Sequence, residues 1–260
     1  TGPTTGSNAG STNDGTGTAD FSSSLTSLNP QTKYYVRAYA SNGLDAYANE
    51  LNFYTLSNPA TAQASSFSAT PNGSGTIDLS WTGATFPGSG ATQAGYVLLY
   101  AASPNTPSLG NGNGAAPSAG ANTTLVSTSA TNLPTTPATT SSVNGLTGGV
   151  VYNFLLVPYT WDGTNNATYH YLTSGAPTAN ATAVTTPSVT TVTASSISTS
   201  DASSGGNAVS DGGGTISAKG VVWDVTANPT IGSNLGSTND GTGTASYSSS
   251  ISGLSPETEY

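Results

Sequence analysis

Apolar and polar residues alternate along short runs of this chain, and Gly, Pro, Asn and Asp separate the runs. The run TIDLSW places Ile77, Leu79 and Trp81 on one face of an extended strand, and a second run alternates from Tyr152 to Leu156. A period of two is typical of half-buried strands, and runs with a helical period are nearly absent. The pattern predicts an all-β protein made of sandwich domains.

The two ends of the chain repeat each other. Residues 1–34 align without a gap onto residues 227–260, and 22 of the 34 positions are identical. The run STNDGTGTA occurs unbroken at 11–19 and again at 237–245. Self-similarity at a fixed offset is typical of array proteins, so we expect one period of a longer repeating polymer plus a short overlap.

A second recurring pattern is a Leu followed six positions later by a Tyr that begins an alternating run. This spacing predicts a tyrosine corner, in which the ring packs in the core and the hydroxyl returns to the backbone of the preceding turn. The pairs are Leu28/Tyr34, Leu146/Tyr152 and Leu254/Tyr260.

With these corners and the Trp81 strand, the chain resembles fibronectin type III domains. The resemblance implies tandem seven-stranded, Ig-like β-sandwiches in a linear array. It also implies a set of structural core residues, namely Tyr34, Trp81, Leu146, Tyr152, Trp223 and Tyr260.

The strand and turn signals predict three segments. Residues 58–186 would be a complete, enlarged domain of one type (B). Residues 1–57 would be the C-terminal part of a second type (A), and residues 187–260 the N-terminal part of the next A domain, with strands near 189–194, 197–202 and 216–223. Joined in repeating order, the two partial segments would make one whole domain.

The sequence of the A-type segments is similar to repeats in very large surface proteins of Bacteroidetes bacteria. The similarity lies in SGGNAVSDGGGTISAKGVVWD (204–224), STNDGTGTASYSSSISGLSPETEY (237–260) and YYVRAYASNG (34–43). Members of that group commonly have Cys before the strand C Trp, where this chain has Val222. The resemblance implies an extracellular, cell-surface protein of adhesin or gliding-filament type, exported by the type IX system.

Charge and composition exclude several partners and chemistries. Three Lys and Arg stand against twelve Asp and Glu, which gives a net charge of −9 and disfavours binding to nucleic acid. The absence of Cys rules out disulfides and thiolate metal sites. No run of 18 apolar residues occurs, so we expect no membrane insertion by this segment.

An enzyme is not expected, because His170 is the single histidine and Asp162 is the only Asp near it in sequence. No cofactor is expected either. Asp14 and Asp240, in the two STNDGTGT copies, are weak calcium candidates, since each cluster offers one carboxylate where calcium usually takes several. Asp-Gly pairs are first of all hairpin turns, because Gly readily adopts a positive φ.

The segment 159–172 is the best candidate for ligand recognition, because aromatic faces beside amides and carboxylates suit sugar rings. The alternative is that these side chains fill the core or pack on a neighbouring domain, and we favour it. The candidate residues are Tyr159, Trp161, Tyr169, His170 and Tyr171.

Three functions stay open. The first is a structural repeat unit of a bacterial surface stalk or filament, whose partners are neighbouring repeats of the same polymer and which spaces or presents a binding tip. The second is a glycan-binding module that uses the F–G loop of the B domain. The third is a short subunit that polymerises by strand exchange. The overlap argues against the third, because two copies of one strand would compete for one place.

Overall fold

The computed structural model describes residues 2–128 and 130–260, and their regular structure is nearly all β. One short 3₁₀ turn, Asn166–Thr168, is the exception. The strands in chain order are β1 (Lys33–Val36), β2 (Tyr39–Ser41), β3 (Asp45–Tyr47), β4 (Leu51–Tyr54), β5 (Ser65–Pro71), β6 (Ile77–Thr82), β7 (Gln93–Ala102), β8 (Thr124–Ser127), β9 (Ala130–Asn132), β10 (Thr140–Val143), β11 (Val151–Trp161), β12 (His170–Tyr171), β13 (Thr178–Thr182), β14 (Ser188–Ser195), β15 (Asp201–Ser210), β16 (Val222–Trp223), β17 (Gly236–Ser237) and β18 (Tyr247–Ser252).

The chain forms two compact units whose limits cut across strands. One unit contains the chain up to Ser68 together with Ser80–Ser141 and Asn153–Ala179. The other contains Ala69–Leu79 and Ser142–Tyr152, together with Asn180–Tyr260. Strands β5, β6, β10, β11 and β13 each run from one unit into the other. The three segments predicted from the sequence stay a prediction.

The strand order of the central part is that of a fibronectin type III sandwich. One sheet has the order β10-β6-β5, which are strands E, B and A. The other has the order β12-β11-β7-β8, with β13 also on β11 and β9 also on β7, which makes G, F, C and C′. The predicted all-β, fibronectin type III-like fold class is confirmed.

The alternation that predicted strands B and F decides which side chains are buried. Ile77, Leu79 and Trp81 are buried on β6 while the residues between them are not. Trp81 packs edge-on against Tyr96 and Phe67, at centroid distances of 5.3 and 6.0 Å. Aromatic pairs prefer this geometry because the positive ring edge faces the negative ring face.

The hydroxyl contact of the predicted tyrosine corner forms at all three positions, although Tyr260 itself is exposed. The Tyr152 hydroxyl accepts a hydrogen bond from the backbone N–H of Thr147, at 3.1 Å. Tyr34 accepts in the same way from Asn29 at 2.9 Å. Tyr260 accepts from Ser255 at 2.8 Å. In each case the hydroxyl bonds to the backbone N–H five positions before the tyrosine, so the same local contact recurs at three places along one chain.

Strands β14, β15 and β18 form a three-stranded sheet in the C-terminal part, and β16 pairs with β17. Six consecutive positions of β15 pair with β18, from Asp201↔Ser252 to Gly206↔Tyr247. A Cβ on Gly206 would lie 2.5 Å from the Tyr247 ring, so glycine at this position leaves room for that ring. The Tyr247 hydroxyl then donates to the Gly220 carbonyl, at 2.7 Å.

Two strand predictions in this part were wrong in extent. The strand expected near 197–202 begins only at Asp201, because the Ser198 hydroxyl accepts from the backbone N–H of Ser200 and of Asp201 and makes a turn there. The strand expected at 216–223 is regular only at Val222–Trp223. Its earlier residues still form backbone hydrogen bonds with the segment that follows β17, since the Asp240 N–H donates to the Lys219 carbonyl at 2.7 Å.

The N-terminal part has two strand pairs, β1 with β4 and β2 with β3. Tyr34 lies opposite Phe53 in the first pair, and their rings stack at 5.8 Å. Residues 21–26 form no strand, whereas their repeat equivalents 247–252 form β18. The similar segment FSSSLT at 21–26 has no such partner, whereas YSSSIS at 247–252 forms a strand against β15.

The three tyrosine corners give a matched test of what the hydroxyl contributes. Tyr152→Phe should lower the free energy of unfolding by about 1–2 kcal/mol, because the Thr147 N–H beside a buried ring loses its acceptor. Tyr34→Phe should lower the free energy of unfolding by less than Tyr152→Phe, because Tyr34 is half-buried. Tyr260→Phe should have the smallest effect, because Tyr260 is 42% exposed. Urea unfolding measures all three. An equal loss at Tyr260 and Tyr152 would contradict this account.

Candidate functional site

The predicted recognition aromatics form a packed cluster inside the first unit. Tyr159 has no exposed surface, and Tyr169 and Tyr171 are buried beside it. The ring of Tyr169 stacks on Trp161 at 4.6 Å and on Tyr171 at 5.9 Å. Val97, Leu99 and Val157 complete the cluster. β11 and β12 hold these rings together, because Tyr159 and Tyr171 are register partners across the two strands.

The long polar stretch after strand C covers this cluster. Leu109 bridges to Ala119 across a turn, and Leu109, Ala116 and Ala119 pack against the rings. The Asn113 side chain accepts from the Tyr171 N–H at 2.8 Å, and the Tyr171 hydroxyl donates to the Ala115 carbonyl at 2.7 Å. The stretch therefore has a defined structure, built on the cluster.

Tyr159, Tyr169 and Tyr171, which were predicted as candidates for ligand recognition, are buried. Their rings pack on one another and on apolar side chains. Ligand binding by these residues stays a prediction. Trp161 is half-buried, with one face stacked on Tyr169. The alternative favoured from the sequence, that these aromatics fill the core, fits their burial.

Burial also changes the acidity of the cluster. It raises the pKa of Tyr159, and the neighbouring Tyr169 raises it further. The pKa of Tyr171 is raised by burial first and then by Tyr169 and Tyr159. Burial raises the pKa of Tyr169 as well. A phenol away from water is harder to ionise, since its anion loses solvation.

His170 lies next to the cluster but serves the connection between segments. Its Nδ1 donates to the carbonyl of Ser57 at 2.6 Å, which requires a proton on that nitrogen. The Ser57 N–H donates to the Thr168 carbonyl at 2.9 Å. Ser57 ends the predicted segment 1–57 and begins the short connection SNPAT (57–61). It is 2% exposed, so this linker is held at its first residue.

Further hydrogen bonds hold the same junction. The Gln31 amide donates to the Ser57 hydroxyl at 2.8 Å and accepts from the Thr92 hydroxyl at 3.1 Å. The Asn58 N–H donates to the Gly90 carbonyl at 2.7 Å, and the Asn58 carbonyl accepts from the Thr160 hydroxyl at 2.7 Å. These hydrogen bonds restrict rotation of the backbone in the linker more than its short length alone would.

A second junction, inside the other unit, is made by backbone at glycines. The Thr185 N–H donates to the Gly212 carbonyl at 2.8 Å, and the Gly149 N–H donates to the Ala183 carbonyl at 2.9 Å. Gly213 has a φ of +87°, and a Cβ there would overlap the Gly149 backbone. The sequence predicted segment boundaries at 57/58 and 186/187, but it did not predict which residues hold the two junctions. The clusters GG at 148–149 and DGGG at 211–214 were the available signal for this one.

The two Asp candidates for calcium each hold a pair of hydroxyl groups. Asp240 accepts from the Thr238 hydroxyl at 2.7 Å and from the Ser249 hydroxyl at 2.6 Å. Asp14 accepts from Thr12 and Ser23 in the same way. These partners are equivalent under the repeat offset, since 12, 14 and 23 correspond to 238, 240 and 249.

This arrangement suits a turn and offers little to a cation. One carboxylate is already used by two donors, and calcium takes six to eight oxygen ligands. Within residues 2–128 and 130–260 there is no group of three or more His, Cys, Asp or Glu placed to hold a metal ion. In the same turns Gly15 and Gly241 donate to the Asn13 and Asn239 side chains, as an Asx turn requires.

The remaining predicted core residues differ in how deeply they lie. Leu146 is buried like Trp81 and Tyr152. Tyr34 and Trp223 are half-buried, and Tyr260 is exposed. Trp223 lines an open groove in the C-terminal part, beside Val221, Ile251 and Leu254.

No family model matches the sequence, and no curated protein matches it. The structure resembles 67 chains of known structure. One is the FN1-FN3 domains of chicken CNTN1, with a TM-score of 0.34 and 11% identity over 88% of this chain and 68% of that one. Another is domains d3-d4 of the rat CD45 extracellular region, with a TM-score of 0.25 and 17% identity over 63% of this chain and 74% of that one. The fold described above rests on the strand order of the chain itself.

The Asp240 site predicts a difference between the two repeat copies. Asp240→Ala should lower the free energy of unfolding by about 1–3 kcal/mol, because Ser249 is a buried residue and its hydroxyl loses an acceptor. Asp14→Ala, the matched control, should cost less, since Asp14 is exposed and water can replace it. Neither calcium nor a chelator should shift the melting temperature. A calcium-dependent rise that either variant abolishes would contradict the turn assignment.

The tyrosine cluster predicts a loss of stability at high pH. A tyrosine in the unfolded chain ionises near pH ~10. Above that pH the unfolded state has lost protons that the raised pKa values keep in the folded state, so the free energy of unfolding falls as pH rises. Urea midpoints should be flat below about pH 9 and drop beyond about pH 10. Titration of all 13 tyrosines near their ordinary pKa in the intact fold would be the opposite result.

Proposed function

We propose that this chain is a repeat unit of an extracellular stalk or filament on a bacterial surface, where it spaces or presents a binding tip. The observation that carries the proposal is that the turns and the tyrosine-corner contact of the 34-residue repeat recur in both copies. An array in which one folding unit recurs along the polymer requires this property of its repeats. Strands β17 and β18 form only in the second copy.

The agreement between the copies extends to single hydrogen bonds. The Asn8 amide donates to the Thr4 carbonyl at 2.8 Å, and the equivalent Asn234 donates to the Thr230 carbonyl at 2.7 Å. The Thr32 hydroxyl donates to the Pro30 carbonyl as the Thr258 hydroxyl donates to that of Pro256. The hydroxyl pairs on Asp14 and Asp240 and the corners at Tyr34 and Tyr260 agree likewise.

The strands that flank the two copies are complementary. Residues 187–226 supply strands A, B and C before the second copy, and residues 35–57 supply the rest of F and all of G after the first. Together with the repeat they make one complete set of sandwich strands, which supports the A-B-A-B order of domains. In that order, neighbouring repeats of the same polymer are the first partners.

Composition and the two junctions support a mechanical role. The junctions at Ser57 and Gly212 are held by backbone hydrogen bonds. Junctions that are held in this way favour an extended array whose length increases with each repeat. Charged residues make up only 6% of the chain, as suits an exposed spacer with few proteolytic sites. The described residues contain no helix of a length and apolarity that could cross a membrane.

The proposal includes an origin and excludes catalysis. The sequence of the A-type segments suggests a Bacteroidetes surface protein that is exported by the type IX system. Surface glycans are one proposed target of its binding tip. No catalytic role is assigned, because His170, the single histidine, donates to a linker carbonyl and lies among tyrosines and Thr168 without a nucleophile bonded to it in the described residues.

The denatured mass of the native polypeptide that carries this sequence tests the array. We expect a mass of hundreds of kilodaltons, because a spacer gains reach only by repetition. A native polypeptide near 25.6 kDa would contradict a covalent array.

A further inference from the structure

One face of the strand pair β1–β4 carries two tyrosines around a lysine. Lys33 is the register partner of Tyr54. Two residues along the strand, Tyr35 is the partner of Asn52, so these four side chains share one face, which we call the outer face. Lys33 and Asn52 are exposed, and Tyr35 is 49% exposed. Tyr54 is half-buried.

The outer face points away from the core of the domain. Tyr34 and Phe53, whose rings stack at 5.8 Å, lie on the opposite side of the same strand pair. Tyr34 is the corner tyrosine, and in a sandwich the corner tyrosine packs towards the core. The outer face is therefore on the outside of a complete domain as well.

The central domain covers its equivalent face with its own chain. There, Tyr159 and Tyr171 are register partners on strands F and G, and Leu109 and Ala116 from the stretch between strands C and C′ pack against them. That stretch comprises residues 103–123. The corresponding connection of an A-type domain, seen in the C-terminal part, comprises only residues 224–235. An A-type domain thus has no insertion of that length to cover its outer face.

Lys33 supplies a positive charge at the centre of the outer face. Its Nζ lies 4.9 Å from the ring centre of Tyr35 and 5.9 Å from that of Tyr54. The hydrogen bond with Tyr35 is the largest cause that raises the pKa of Lys33, and the carboxylate of Glu50 has the smallest effect. The ammonium group therefore stays charged at neutral pH, beside rings that hold it in place.

The two other cations of the chain are bonded to backbone. The Lys219 ammonium donates to two backbone carbonyls, at 3.2 and 2.6 Å, and the Arg37 Nε donates to one at 3.0 Å. Lys33 is exposed on the outer face, in a chain whose net charge is −9. The second copy of the repeat has Glu259 at the equivalent position, so the repeat accepts either charge there.

We propose that the outer face binds a saccharide chain that carries carboxylate groups, such as uronic or sialic acid residues. Lys33 pairs with the carboxylate, because a charged donor and a charged acceptor form the stronger hydrogen bond. The exposed ring of Tyr35 packs on the apolar C–H face of the sugar, and the Asn52 amide bonds to its hydroxyl groups.

This site deepens the proposed function, because it names a class of surface glycan. It also places glycan binding on the repeat itself, so that every A-type domain with a cation at this position adds a site to the array. Weak sites that recur along one polymer bind a long polysaccharide more tightly than one site does.

Calorimetric titration of the chain of residues 1–260 tests the site. The ligands are hexagalacturonate, its methyl ester and a hexaglutamate peptide. The methyl ester keeps the sugar rings without the charge, and the peptide keeps the charge without the rings. Hexagalacturonate should bind about tenfold or more tightly than either, and added salt should weaken its binding.

Three variants locate the binding. Lys33→Glu introduces the residue that the second copy itself has, and it should weaken hexagalacturonate binding about tenfold or more. Tyr35→Ala should also weaken it, since the sugar loses its stacking surface. Lys219→Gln is the matched control, because it removes a lysine 5.5 Å from the Tyr247 ring centre, and it should bind like the original chain. Thermal melts of each variant check that the fold is retained.

Several results would overturn the proposal. They are the absence of hexagalacturonate binding, equal affinity for the methyl ester or for hexaglutamate, and unchanged affinity in a folded Lys33→Glu or Tyr35→Ala variant. The titration is independent of the proposed array. A native mass near 25.6 kDa with specific binding would keep this site and reject the array, and a mass of hundreds of kilodaltons without binding would do the reverse.

Discussion

A β-strand must satisfy the hydrogen-bonding groups along both edges and cover at least one apolar face, and the rest of this structure depends on where those partners come from. The repeat shows this directly. Residues 247–252 (YSSSIS) form β18 against β15, and the similar repeat residues 21–26 (FSSSLT) form no strand. Turns and corners, whose partners lie within a few residues, form in both copies. Strand pairing and core burial depend on distant segments.

The same constraint explains why the most conspicuous aromatic group is structural. Tyr159, Trp161, Tyr169 and Tyr171 cover one another, and the polar stretch that follows strand C covers them in turn. Tyr171 donates its N–H to the Asn113 side chain and its hydroxyl to the Ala115 carbonyl of that stretch. An insertion rich in Ser, Asn and Gly can thus be ordered by a few bonds to buried rings, without a core of its own.

The junctions link this local chemistry to the proposed role as a spacer. At Ser57 the linker is held through His170, Thr168 and Gln31. At Gly212 it is held by backbone groups that approach closely because no side chain intervenes. Apart from the glycine clusters at 148–149 and 211–214, the donors and acceptors of both junctions are ordinary polar groups that lie far apart in the chain. Only folding brings them within bonding distance.

The sequence by itself determined what local rules govern. Alternation set the strands and their buried faces at Ile77, Leu79 and Trp81, and a spacing of five residues set the corners at Tyr34, Tyr152 and Tyr260. Only the tertiary structure decided that Tyr159 and Tyr171 are core and that Trp223 lines an open groove. It also decided that His170 holds a linker. Burial depends on which distant segments pack against a residue. A single sequence shows which residues are apolar or aromatic, but it does not show which of them are in contact.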